Sequence, residues 1–241
     1  MRVAVIADIL GNLTALEAVL ADLAATQVDE IVCLGDVAAT GPQPHETVAQ
    51  LRALACPVVM GNADAAAFRP MQLWPTDEEA RRFMEIDYWC STQLSPDDLA
   101  YLRTFQPTIG VSMGPGATLL CFHGSPRDNT EGIVATTPDS ALARVLAGCD
   151  ATALAGGHTH AQFTRPYKQA VLLNPGSVGL PYIETEEGAR NPPWAEYGIV
   201  EWHAGSLRVE LRRVAIDAGE VVRAALESGM PHADWWAGSW R

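Results

Sequence analysis

The 241-residue sequence contains no run of about 18 apolar residues, so no membrane-spanning helix is expected. A secretory signal pattern is also missing. Met1 to Asp8 carries one positive charge and then a short apolar run that ends in an acid, without the longer stretch and small-residue cleavage site that export requires. The five cysteines, Cys33, Cys56, Cys90, Cys121 and Cys149, are scattered, odd in number and without a C-x-x-C pair. They read as reduced core thiols of a cytoplasmic protein and give little support to a zinc–thiolate site. Basic residues are scarce: 16 Lys and Arg against 29 Asp and Glu leave a net charge of −13. So acidic a body repels nucleic acid at long range, and no duplex-binding groove is expected. An anionic small substrate stays open, because bound divalent cations reverse the local sign of a site.

What is present is alternation. Val3 to Ala7 is a short apolar run of β type. Asn12 then caps a helical stretch with Leu13, Leu16, Val19, Leu20 and Leu23 on one face. Ile31 to Leu34 reads as a second strand, His45 to Leu54 as a helix and Val58 to Met60 as a third strand. This order predicts a parallel sheet with right-handed crossovers. Residues 65–106 look helical and are the candidate cap or insertion within a single domain over 1–241. Inside that stretch, Ser95-Pro96-Asp97-Asp98 reads as a helix start. Val111 to Met113 and Thr118 to Phe122 flank a Gly114-Pro115-Gly116 turn as a hairpin. Later strands are expected at Thr152 to Ala155, Val171 to Leu173, Gly198 to Trp202 and Leu207 to Val214, the last two as a second hairpin. No internal repeat or low-complexity tract occurs. A sandwich of two sheets flanked by helices follows.

Five polar clusters each follow directly on an apolar run. They are Asp8, Gly35-Asp36, Gly61-Asn62-Ala63-Asp64, His123-Gly124-Ser125-Pro126 and Gly156-Gly157-His158-Thr159-His160. Ligands of α/β sheets gather beyond the carboxyl ends of strands, so clusters distant in sequence can converge there. Aspartate, asparagine and histidine together suit Zn, Mn or Fe without a soft thiolate. An aspartate between two such ions can bridge them.

Asp8-Ile9-Leu10-Gly11-Asn12, Gly35-Asp36, Gly61-Asn62, His123-Gly124 and Gly157-His158-Thr159-His160, in this order, resemble the signature of the calcineurin-like metallophosphoesterase superfamily. Asn174-Pro175-Gly176-Ser177-Val178-Gly179 is similar to a motif of its small prokaryotic phosphodiesterase-like branch, and the resemblance runs from Met1 to about Val214. It implies a four-layer α/β/β/α sandwich and two divalent metal ions. Asp36 would bridge them, Asp8 and His160 would bind the first, and Asn62, His123 and His158 the second. Catalysis would fall to Asp36, Asn62 and His123, with a metal-bridging hydroxide attacking phosphorus in line. The partner would be a small phosphodiester or phosphomonoester.

The sequence departs from that pattern twice. Leu10 stands where the family usually has a metal-ligand histidine, and Ala63 where larger members carry a histidine after the Gly-Asn pair. The alternative reading is a degenerate, weakly active or non-enzymatic module that keeps a metal or phosphate site. Asp64, Ser125, Arg127 and Ser177 are divided evenly between contacts around the site and ordinary loop hydrogen bonding. His45, His203 and His232 read as surface or structural residues. The aromatic run from Met230 to Arg241 is expected to pack on the domain surface, with a homodimer contact as the sharper alternative.

Overall fold

In the computed structural model, which describes residues 1–69, 77–186 and 188–240, strand β1 (Arg2–Ile6) shows how the layers arise. Ala4 and Ile6 face one core, while Val3 and Val5 face another. That is the two-residue period of a strand buried on both sides. The strand pairs in parallel with β2 (Glu30–Cys33) and antiparallel with β10 (Trp194–His203). Strand β11 (Ser206–Ala215) completes a four-stranded sheet in the order β11-β10-β1-β2.

The second sheet comprises β3 (Thr108–Gly114), β4 (Ala117–Phe122), β5 (Ala153–Ala155), β6 (Phe163–Tyr167) and β7 (Ala170–Asn174). Its order is β3-β4-β5-β7-β6, with β4, β5 and β7 parallel. Strand β4 repeats the alternation: Leu119 and Cys121 enter the core between the sheets, and Phe122 the core beneath the second sheet.

Helices close both outer faces. The first sheet packs against α1 (Leu13–Thr26) and α2 (Pro44–Leu54) through Leu16, Val19, Val48 and Leu51, and the second against α6 (Asp139–Val145) through Leu142 and Val145. The result is the expected α/β/β/α sandwich, with three hydrophobic cores between its four layers.

Local chemistry sets the helix starts. The Asn12 side chain accepts from Ala15 N, and its amide nitrogen donates to Gly179 O, tying the first helix to the loop after β7. Ser95 and Asp98 form a reciprocal capping box at α5 (Pro96–Leu102), with Pro96 in the first turn, as its sequence predicts. Of the helical stretch expected over 65–106, residues 70–76 lie outside the described residues. The remainder holds the end of α3 (Asn62–Ala66), α4 (Glu78–Gln93) and α5.

One expectation is corrected and two features are added. Val58 to Met60 is no full strand; Cys33 and Val58, and Val59 and Gln106, meet through single bridges. Phe163 to Tyr167 is a strand that the periodicity did not reveal. Between Asn174 and Trp194 lies a small hairpin, β8 (Ile183–Thr185) and β9 (Gly188–Arg190), also unforeseen.

The aromatic C-terminus does more than cover the surface. Trp236 of α8 (Ala233–Gly238) and Trp240 are buried with Ile86 and Cys90 of α4 and with Val221 and Ala225 of α7 (Ala218–Glu227). A fourth core thus fastens the chain end to α4.

Candidate metal centre

The five polar clusters reach one end of the sandwich on strained loops. Asp8, Asp36, His158 and His160 all have left-handed backbone, with φ of 53°, 53°, 68° and 54°. Such conformations cost non-glycine residues of order 1–3 kcal/mol each and persist only where their surroundings enforce them. Backbone bonds do so here: Asp8 N donates to Gly35 O, Leu10 N to Asp36 O and Gly157 N to His123 O. Gly61 is required by close approach, since a Cβ there would lie 2.0 Å from Asp36 Oδ1.

Four predicted residues converge closely. One end of the Asn62 amide lies 2.9 Å from His123 Nε2, 2.7 Å from His158 Nδ1 and 3.3 Å from Asp36 Oδ2. His123 Nε2 is 3.2 Å from Asp36 Oδ2. The ligand atoms of Asp36, His123 and His158 all lie within 4.8 Å of one another, as for no other such group among the described residues. With its nitrogen inward, the amide can donate to these neighbours. With its oxygen inward and neutral imidazoles, only lone pairs meet, an arrangement that needs a cation. The donor set of one carboxylate, one amide oxygen and two imidazoles fits a borderline divalent ion.

The imidazoles are aimed by backbone carbonyls. His123 Nδ1 lies 2.8 Å from Leu34 O, and His160 Nδ1 lies 2.9 Å from Leu180 O. When either ring is neutral, the Nδ1 proton serves the carbonyl and leaves Nε2 as a lone pair. Burial opposes a charge on His123, but Asp36 beside it outweighs burial and raises its pKa to about 9. Burial likewise pushes the Asp36 carboxyl up, yet His123, Ala63 N and His160 bring it below its ordinary value. For Asp8 burial prevails and the pKa rises.

Asp8 and His160 form a looser pair. His160 Nε2 is 3.6 Å from Asp8 Oδ1, and the Asp8 carboxylate also accepts from His158 N at 3.1 Å. Leu10 (φ 50°) lies on the same loop and lines the cleft beside His160. Its methyl groups offer no lone pair. Gly11 keeps a φ of 60° and Asn12 keeps its capping bonds, so the loop retains its form around the leucine.

Residues weighed only as neighbours divide clearly. Asp64 is buried and accepts from Asp36 N and Val37 N, both at 2.8 Å, and from Gly61 N at 3.1 Å, clamping the loop that carries Asp36. Burial, then the Asp36 charge, raises its pKa to about 7. Ser177 Oγ donates to Asp8 O, bracing that loop from the other side. Asn174 Nδ2 donates to Gly157 O and Thr159 Oγ1, steadying the Gly-His-Thr-His turn. Ser125 and Arg127 instead pair with Glu131 in ordinary loop contacts. His45 pairs with Asp98 and His232 with Glu85, both structural.

Above the centre opens a cleft of about 810 Å³, a size suited to a small molecule. Its floor includes Asp36, Asn62, His158 and His160, and its walls include Phe83, Asp87, Tyr182 and Trp235. Phe83 and Trp235 meet edge to face at 4.9 Å. Their place on the cleft is not legible in the sequence, because they come from α4, the residue before the small hairpin and α8.

Known proteins share this architecture. The model of the calcineurin-like phosphoesterase superfamily domain matches residues 1–191. The crystal structure of a metallophosphoesterase from Sphaerobacter thermophilus is similar over 100% of this chain and 99% of its own, at 29% identity and a TM-score of 0.77. A hypothetical protein from Pyrococcus horikoshii shares the fold over 95% of this chain and 94% of its own, at 20% identity and a TM-score of 0.78. An uncharacterised protein of Methanocaldococcus jannaschii is 27% identical over 245 residues, covering 95% of this chain and 93% of that protein.

Proposed function

The chain belongs to the calcineurin-like phosphoesterase superfamily, whose members hydrolyse phosphate esters with bound metal, and from that premise we propose that it hydrolyses a small phosphodiester or phosphomonoester at the Asp36 centre. The observation that carries this reading is the meeting of Asp36, Asn62, His123 and His158 at 2.7–3.3 Å around one amide. These residues would hold one divalent cation. Asp8 and His160, with Asp36 shared, would hold a second more loosely. Bound there, divalent cations polarise a phosphoryl oxygen and activate water at neutral pH.

The protein's own residues supply position. Asp64 fixes the backbone of Asp36, and the Leu34 and Leu180 carbonyls fix the imidazole tautomers of His123 and His160. Preset dipoles of this kind need no reorganisation during reaction. The cleft admits a small ester, and its walls carry Glu79, Asp87 and Asp234. Together with the charge of −13, those carboxylates speak for a small substrate rather than a nucleic-acid duplex.

A second reading, a binding module with little turnover, draws on Leu10, whose side chain lines the cleft where a further ligand would stand. Metal analysis followed by assay with an aromatic phosphodiester and added Mn²⁺ separates the two. Metal-dependent turnover supports hydrolysis. Metal uptake at the Asp36 group without turnover supports the binding module, and no metal uptake overturns both.

A further inference from the structure

Hydrolysis of an ester with a basic leaving group needs a proton as well as a nucleophile. None of the three imidazoles at the centre is placed to give one. His123 and His160 each commit one nitrogen to a backbone carbonyl and turn the other toward the centre, and His158 presents Nδ1 to the cluster while bonding the Thr130 backbone. At Ala63 the side chain ends at Cβ and has no proton to offer.

Asp87 of α4 stands on the wall of the same cleft as Asn62 and Ala63, and it also lines the adjoining hollow behind Ala63. It is half-buried and not among the groups assigned to metal. Thr40 Oγ1 donates to Asp87 Oδ1 at 2.7 Å. Thr40 itself has a φ of 62°, an unusual backbone for a β-branched residue. The carboxyl is thereby held at Oδ1, and the Thr40 backbone bonds it as well.

Resting on the phosphoesterase reading, we propose that Asp87 is the acid that protonates the leaving group. As the water oxygen forms its bond to phosphorus and releases a proton to solvent, the bond from phosphorus to the leaving oxygen breaks. That oxygen keeps the electron pair and takes the proton of the Asp87 carboxyl. The Asp87 carboxylate then regains a proton from solvent.

Burial, opposed by the Thr40 hydroxyl and aided by the Asp36 charge, raises the pKa of Asp87 to about 6. Roughly a tenth of it therefore still holds a proton at pH 7, as an acid catalyst must. The other charged groups on the two clefts that Asp87 lines include Asp64, Glu79, Asp234, Arg69 and Arg190.

The test compares two esters in the metal-supplemented protein. A nitrophenyl ester expels an anion that is stable without a proton, whereas an alkyl ester does not. Asp87→Asn keeps the shape and the Thr40 contact. It should lower kcat/KM for the alkyl ester about 100-fold, within the usual range for a lost general acid, and change the nitrophenyl ester by less than about threefold. Asp87→Ala is the second variant should the first fail to fold, as judged by thermal unfolding. In difference infrared spectra, wild type should show a carboxyl band titrating near 6 that Asp87→Asn lacks. Equal loss for both esters in a folded variant, or loss for neither, overturns the role of Asp87. Wild-type protein that turns over neither ester overturns the phosphoesterase reading and this role with it.

Discussion

Around Asp36, three side chains, those of Asp36, His123 and His158, bring their polar atoms to within 3.3 Å of the Asn62 amide, whereas Asp8 and His160 stand 3.6 Å apart with Leu10 beside them. Both halves rest on left-handed loops, and both have an imidazole aimed by a backbone carbonyl. They differ in the number of lone pairs. The scaffold of the Asp8 half is therefore intact while its ligand set is short. Loop geometry is held by backbone hydrogen bonds and close-packed glycines, and it survives the loss of one side chain. Affinity for a cation is a property of the side chains themselves and does not.

The largest effect should come from removing Asp36, which we propose serves both halves. Asp36→Ala should lower metal content in both halves and cut phosphoesterase activity more than about 100-fold, since even a partner that only supports a ligand is worth about 10–100-fold. Elemental analysis and the aromatic diester assay check this. Unchanged metal stoichiometry would show that the halves do not meet at Asp36.

Next in size is the repair of the weaker half. Leu10→His adds an imidazole to a loop that has kept its form, and should raise metal affinity there by about 10–100-fold, together with the rate. Leu10→Ala frees space without adding a lone pair and should do neither. Calorimetric titration with Mn²⁺ distinguishes them. Two tightly held ions in the wild type, unaltered by Leu10→His, would mean that another group already completes the Asp8 half.

The smallest change should follow Asp64→Asn. Its two carboxylate oxygens accept three backbone N–H groups, and an amide nitrogen in either place would face a donor. A loss of about 1–3 kcal/mol in folding stability is expected, from one such buried mismatch. Metal affinity should fall less than tenfold. Chemical denaturation measures the first and metal titration the second. A loss of affinity equal to that of Asp36→Ala would place Asp64 among the ligands.

Much of this centre was legible in the sequence because each of its polar clusters follows an apolar run, and such runs are local patterns. Asp8, Asp36, Asn62, His123, His158 and His160 could be named by that rule together with the family resemblance. The run at Val58 misled only in its pairing, since three apolar residues look alike whether they form a ladder or single bridges. Asp64 stood undecided because a carboxylate that binds metal and one that binds backbone N–H groups look identical in a sequence. The role of Trp235 was not foreseen: an aromatic run announces burial but not its partners, which here are Phe83 on the cleft wall and Arg82 over the Trp235 ring.

By itself the sequence determined the strand and helix periods, the caps at Asn12 and Ser95, the ordered strand-end motifs and the leucine in place of a ligand. All of these are properties of neighbours along the chain. Only the tertiary structure decided that Asp87 shares a cleft with Asn62 across 24 intervening positions, that Thr40 holds it, and that α4 and α8 raise the cleft walls. Those juxtapositions depend on how helices settle on a finished sheet. Packing of apolar surface, which is non-directional and leaves no spacing rule in the sequence, settles them.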